Sequence, residues 1–348
     1  MRHNGNNVKA GFSALETGLF ILVTLFTLII CVCLGSVNIP FSDTVRVLTN
    51  ALLGRPTQDT FSASIILSVR LPRVLCVALT GAALSLCGAA MQGLLKNPLA
   101  DGSTLGVSSG ASLGAVIAIA FNIAIPSLPF AGTTVMAILF AFISLLIILA
   151  LSYKLDYSLS TNTIILIGVI FSMFISSVLS LVITFAPEKT RSITFWTMGS
   201  LASSSYENVL VLLGALALFG TVIISRAREL NAFSVGEDNA RSVGVNVKGV
   251  KLVIMISVSA LIGVCVSVGG TIGFVGLVAP HIIRMIVGPN HKKLLPASVF
   301  GGAVFLMLCD LVARVLLNPL ELPLGVVTSF IGAILFVYIF YRSRRAKA

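Results

Sequence analysis

The sequence predicts an all-α integral membrane protein of about ten spans, and three observations carry that reading. Hydrophobic residues make up 57% of the 348 positions and charged residues only 10%, more apolar surface than a soluble core could hide. Mean hydropathy is +1.06. The apolar stretches run about 20 residues, the length a helix needs to cross a hydrocarbon layer about 30 Å thick.

Taken in chain order, the apolar runs lie near 19–39, 74–95, 104–125, 133–153, 163–186, 208–225, 250–271, 272–288, 296–317 and 323–341. Arg2 and Lys9 precede the first, which is longer than a signal-peptide core and has no small-residue cleavage site after it, so it counts as a span. The second and third are dense in Gly, Ala and Ser. Gly106, Gly110 and Gly114 recur every fourth residue, a seam for close helix packing. The eighth run is short and holds Pro280, His281 and Arg284; it is retained because of orientation.

Lys and Arg gather in cytoplasmic loops. With the N-terminus inside and ten spans, 16 of the 23 basic residues fall on the inner side, including Arg342, Arg344, Arg345 and Lys347. Dropping the eighth span would move that basic tail outside. Both termini are therefore expected in the cytoplasm, and the whole chain, 1–348, is expected to be one transmembrane domain. The net charge of +11 is scattered at span ends with no basic face, which argues against nucleic acid.

Chemistry-bearing motifs are scarce. Cys31, Cys33, Cys76, Cys87, Cys265 and Cys309 all fall inside apolar runs without metal-type spacing and read as small packing residues; no metal site is expected. The chain has no GxxxxGK[ST] and so no ATP-binding loop of its own, and no catalytic set of carboxylates or of Ser, His and Asp. His281 and Arg284, one turn apart, read as a structural pair. Asp310 is the one acid well inside a span, with Arg314 four residues on, and an internal ion pair is the simple account. A proton or sodium relay through Asp310 and His281 is the competing one.

Two features stand out on opposite sides. "RLPR", Arg70 to Arg73, and Arg314 place three cations at outer span ends, against the usual bias, and invite either an acidic partner or internal pairing. On the inner side lies the longest polar loop, 227–249. There Glu237 and Asp238 after Gly236 suit a helix start, Arg241 its later turn and Gly244 its stop, so a short exposed helix is expected.

"RLPRVLCVALTGAALSLCGAAMQGLLKNPLADGSTLGVSSGAS", "LNAFSVGEDNARSVGVNV", "GTIGFVGLVAPHIIRMIVG", "LLPASVFGGAVFLMLCDLVARVLL" and "ELPLGVVTSFIGA" closely resemble, in order, the FecCD-type permeases of bacterial ABC importers for iron-siderophores, haem and vitamin B12. The resemblance covers residues 60 to 340. It implies the ABC type II importer permease fold, with ten-helix subunits paired as a homodimer or heterodimer in the cytoplasmic membrane, two ATPase subunits below that hold ATP and Mg, and a substrate-binding protein above. No cofactor is expected on this chain. It further implies that Arg70, Arg73 and Arg314 meet glutamates of the binding protein. The implied coupling helix to the ATPase is Val235, Gly236, Glu237, Asp238, Asn239, Ala240, Arg241, Ser242, Val243, Gly244 and Val245. Asn97 and Leu99, with Ser160, Thr161 and Asn162, are implied to lie near the cytoplasmic gate, and spans five and ten to face the dimer axis. Gly102 and Ile334 stand where many members carry proline.

Overall fold

The computed structural model describes residues 12–55, 60–102, 105–123, 131–157 and 160–345. Arg2, Lys9 and Lys347, and the side chains of Arg342, Arg344 and Arg345, used above for orientation, lie outside that description. Among the described residues the elements are α1 (Ala14–Cys33), α2 (Phe41–Leu52), α3 (Thr60–Ser64), α4 (Leu71–Leu94), α5 (Val107–Ala120), α6 (Ala131–Leu155), α7 (Thr161–Phe185), α8 (Thr190–Thr197), α9 (Tyr206–Ala215), α10 (Thr221–Ser225), α11 (Ala227–Val235), α12 (Glu237–Ser242), α13 (Val247–Gly269), α14 (Val275–Val287), α15 (His291–Val315) and α16 (Leu324–Arg345). A π turn over Ile65–Arg70 fuses α3 to α4, and another over Leu216–Gly220 fuses α9 to α10.

Seven of these are long and apolar enough to cross a membrane, and α5, α14 and α16 supply three shorter apolar helices. Together they account for the ten runs seen in the sequence. The two internal short ones depart from full spans. With 14 and 13 residues, α5 and α14 reach only about 20 Å at 1.5 Å per residue. The apolar runs that contain them, 104–125 and 272–288, begin ahead of the helices, whose starts are set by left-handed residues, Gly106 and Phe274.

Two helices form the centre. α4 and α13 are buried along 83% and 78% of their most apolar windows, against 17% for α1 and 28% for α6 and α7. Small residues explain why α4 can be surrounded. A Cβ on Gly81 would collide with the carbonyl oxygen of Gly302 on α15, and one on Gly88 with that of Gly276 at the start of α14. Backbones therefore touch where side chains would hold them apart, which is how helices associate when both they and the solvent are apolar. The glycine seam read on α5 is confirmed in the same way: a Cβ on Gly110 or Gly114 would strike Ser144 or Met136 of α6. All six cysteines are buried and free.

Candidate functional site

Three places on the molecule carry polar groups that packing alone does not require. The first is the C-terminal end of α1. A helix leaves its last carbonyls without intrahelical donors, and near lipid no abundant water replaces them. α1 ends at Cys33 without a glycine cap. Instead Arg70 donates to the carbonyls of Val32 (3.1 Å), Cys33 (2.9 Å) and Val37, while Arg314 donates to those of Cys31 (3.0 Å) and Leu34 (3.1 Å). Gly35 leaves room for the Arg70 guanidinium. Cations at a helix C-terminus also oppose its dipole.

Arg73 completes the cluster. It donates to Asp310 through Nε (3.1 Å) and Nη2 (3.0 Å) and to Glu321 through Nη1 (2.7 Å). The expected Arg314–Asp310 pair is present at 2.9 Å, as a charge contact without hydrogen-bond alignment. The structure thus brings together all three arginines singled out in the sequence, and it buries them: Arg70, Arg73 and Arg314 are 5%, 6% and 3% exposed, and Asp310 1%. Of the cluster, the Glu321 side chain, one-third exposed, opens to the surface.

The second place is the hairpin of α11 and α12. α12 runs from Glu237 to Ser242 as its caps predict, with Arg241 3.5 Å from Asp238. It stops through Gly244 (φ 86°): Gly244 N–H donates to the Arg241 carbonyl and Val245 N–H to that of Ala240, the paired bonds of a Schellman end. Ala240, Leu230 and Phe233 face inward, while Val235 and Val243 stand exposed. Lys251 on α13, fully buried, meets Glu237 at 2.7 Å. Nothing in the local sequence pattern announced that pair.

The third is a cavity of 580 Å³ bounded by α4, α5, α13, the 270–274 connector and the starts of α5 and α14. Its wall carries hydroxyls from Thr80, Ser108, Ser109, Ser112, Thr271 and Ser329, the Asp101 carboxyl, and Leu99. Sequence reading assigned "TLGVSSGAS" to packing alone, and these serines were missed; the clue was the mismatch between a 22-residue apolar run and its glycine- and serine-rich start. Leu99 reaches the cavity from a turn in which the Asn97 side chain accepts from its N–H (2.9 Å). Ser160 caps α7 by accepting from Thr163 N–H, and Asp156 accepts from Ser160 N–H (3.1 Å). Asn97 and the turn of Ser160, Thr161 and Asn162 add no side chain to this wall among the described residues.

One pairing is corrected. His281 and Arg284 do not bond each other: Arg284 donates to Gln92 (2.9 Å), whose amide bridges to the carbonyls of Gly276 and Leu277, and His281 packs edge-on to Phe336. A relay between His281 and Asp310 likewise finds no joined path, since the acid sits in the arginine cluster.

An ABC transporter permease of Bacillus subtilis, YvrB, is 41% identical over 92% of this chain and 91% of its own length. Cobalamin and hemin permeases of Halobacterium salinarum and Yersinia pestis are 37% and 35% identical over 81% and 93% of this chain, spanning 74% and 96% of theirs. A molybdate permease of Haemophilus influenzae matches at 37% over 82% of this chain and 84% of its own. A solved transporter described as metal-chelate type, in an inward-facing conformation, superposes with a TM-score of 0.82 at 33% identity, covering 93% of this chain and 98% of that one. Residues 22–342 match the FecCD transport family, and the chain belongs to it, as a multi-pass permease of the ABC importer class.

Proposed function

We propose that this chain is the membrane subunit of an importer that carries an iron-siderophore complex into a bacterial cytoplasm, working as a dimer, with two ATPase subunits bound to its inner hairpins and a binding protein on its outer rim. The single observation that supports this most is the placement of a protruding capped helix, α12, at the base of a central helix, α13, whose upper half walls the cavity. In this reading the exposed face of α12 docks on the ATPase, which does the ATP chemistry with its own Mg. Energy then reaches the permease as differential binding to its two states. Both termini lie in the cytoplasm.

The cavity is the subunit's share of the route, closed by a second copy or a related chain. Two wall residues support this, Leu179 on α7 and Ser329 on α16. On the exposed side of α7, Ser176, Ser180 and Thr184 recur every fourth residue, each donating to the carbonyl one turn back. That polar stripe suits a wet or subunit-facing surface better than lipid. Leu99, with Asn97 and the Ser160–Asn162 turn nearby in sequence to the inner ends of α4 and α7, is assigned to the gate.

Arg70, Arg73 and Arg314 serve docking through their field and their scaffolding. Three guanidinium groups against Asp310 and Glu321 leave a net charge of +1. The same arginines stiffen the 34–40 and 316–323 connectors, which present the contact surface to an acidic partner. Such charge sets register and capture rate more than affinity.

Iron-siderophore is favoured as cargo by the metal-chelate type of the superposing transporter; cobalamin, hemin and molybdate name relatives too. Binding of the cognate outer receptor to a panel of ferric siderophores, haem, cobalamin and molybdate tests it. Nanomolar capture of a ferric siderophore alone is the expected result, and preference for another member of the panel refutes that cargo.

A further inference from the structure

α12 is tied to α13 at both of its ends. At its C-terminal end the tie is covalent and short, residues 243–246, with Gly244 in the left-handed region and Asn246 capping α13 by accepting from Gly249 N–H (3.0 Å). At the other end Glu237, the first residue of the helix, meets the Lys251 ammonium at 2.7 Å. Glycines flank the helix on both sides, Gly236 (φ 141°) on the link to α11 and Gly244 (φ 86°) on the link to α13, so the backbone alone would let it turn. Tied to α13 at both ends, it cannot turn without breaking the ion pair. Lys251 is 0% exposed, so breaking the pair takes a 2.7 Å carboxylate contact away from a buried ammonium, which is unfavourable.

α13 continues from Lys251 into the membrane. About 16 Å further along its axis, at 1.5 Å per residue, Ile262 packs against Gly102, where a Cβ would strike its side chain. Cys265 and Val266 lie one turn beyond and, with Ile262, form part of the cavity wall. Gly102 belongs to the same connector as Leu99 and Asp101. Contact is therefore continuous from α12 through Lys251 and α13 to the cavity.

We propose that the Glu237–Lys251 ion pair is a clutch: it locks α12 to α13 as one rigid body, so that displacement of α12 is delivered through α13 to the cavity wall at Gly102 and Leu99. Glu237 and Lys251 are positioning residues, acting through α13. This rests on the proposed coupling role of α12, and it names the element that makes coupling possible.

The test uses the full permease in lipid nanodiscs, alone and with its ATPase subunits. Ketoxime spin labels at Ser242 and Ile256, both exposed, leave the buried cysteines in place and report the α12–α13 distance. A second pair at Leu99 and Ser329 reports the cavity. In the wild type the 242–256 distribution is narrow and unchanged between nucleotide-free and vanadate-trapped states, while the 99–329 distance changes. Lys251→Met broadens the 242–256 distribution, already in the permease alone, and shrinks the nucleotide-driven change across the cavity. Glu237→Gln, isosteric and partly exposed, does the same and guards against a misfolded Lys251 variant. Lys251→Arg, and the exchange Glu237→Lys with Lys251→Glu, restore the wild-type distributions.

A narrow, unchanged 242–256 distribution in both Lys251→Met and Glu237→Gln overturns the clutch, as does an exchange variant no better than the single ones. Failure of the coupling reading itself looks different: the Ser242 label keeps its mobility when the ATPase is added, whereas the permease-alone distributions still decide whether α12 and α13 are locked.

Discussion

Asp310→Asn tests the arginine cluster at its centre. The carboxylate is 1% exposed and takes three guanidinium contacts within 3.1 Å, two from Arg73 and one from Arg314. The amide keeps the shape and removes the charge, leaving the buried Arg314 without a carboxylate and Arg73 with Glu321 alone. Removing one partner of a buried pair destabilises by about 3–5 kcal/mol, and at about 1.4 kcal/mol per tenfold the folded-to-unfolded ratio falls by a factor of about 10² to 10³ or more. Glu321→Gln is the control. Its side chain is 33% exposed, so solvent screens the contact to Arg73 and the loss stays near or below about 1 kcal/mol. Unfolding of the purified chain by SDS in mixed micelles, followed by circular dichroism, gives both values. If Asp310→Asn proves no less stable than Glu321→Gln, the cluster is not the ionic core that the distances describe.

Three further outcomes follow from the packing. Gly88→Ala forces a methyl into the Gly276 backbone and should destabilise by about 1–3 kcal/mol, whereas Gly18→Ala, with open space around it, should be neutral or slightly stabilising in the same unfolding assay. Val243→Asp, on the exposed face beside α12, should leave the unfolding midpoint unchanged while weakening ATPase subunit binding at least tenfold by surface plasmon resonance; unchanged binding removes that face from the interface. Leu99→Trp adds bulk to the cavity wall and should lower cargo uptake while ATP hydrolysis by the assembled transporter persists; unaltered uptake would take Leu99 out of the route.

What could be read from the sequence was what local chemistry determines. The ends of α12 were legible because Glu237, Asp238, Arg241 and Gly244 all act within one turn of the backbone. The Arg314–Asp310 pair was legible for the same reason, being one turn apart. The burial of Arg73 was not, because its acids lie 237 and 248 residues away. Arg284 likewise ignores His281 in favour of Gln92, 192 residues distant. Hydropathy overstated α5 and α14, since the runs 104–125 and 272–288 carry on past helix starts fixed by the left-handed Gly106 and Phe274, a backbone feature that hydropathy does not register. The amphipathic α2 went unremarked between Val37 and Gly54, where polar and apolar residues balance and no apolar run forms.

The decisive measurement is uptake by proteoliposomes holding the permease, its ATPase subunits and the outer binding protein, with ferric siderophore, haem, cobalamin and molybdate as probes. The account predicts accumulation of a probe that requires ATP on the ATPase side and is indifferent to a protonophore. Accumulation by the permease alone, abolished by the protonophore, would contradict it.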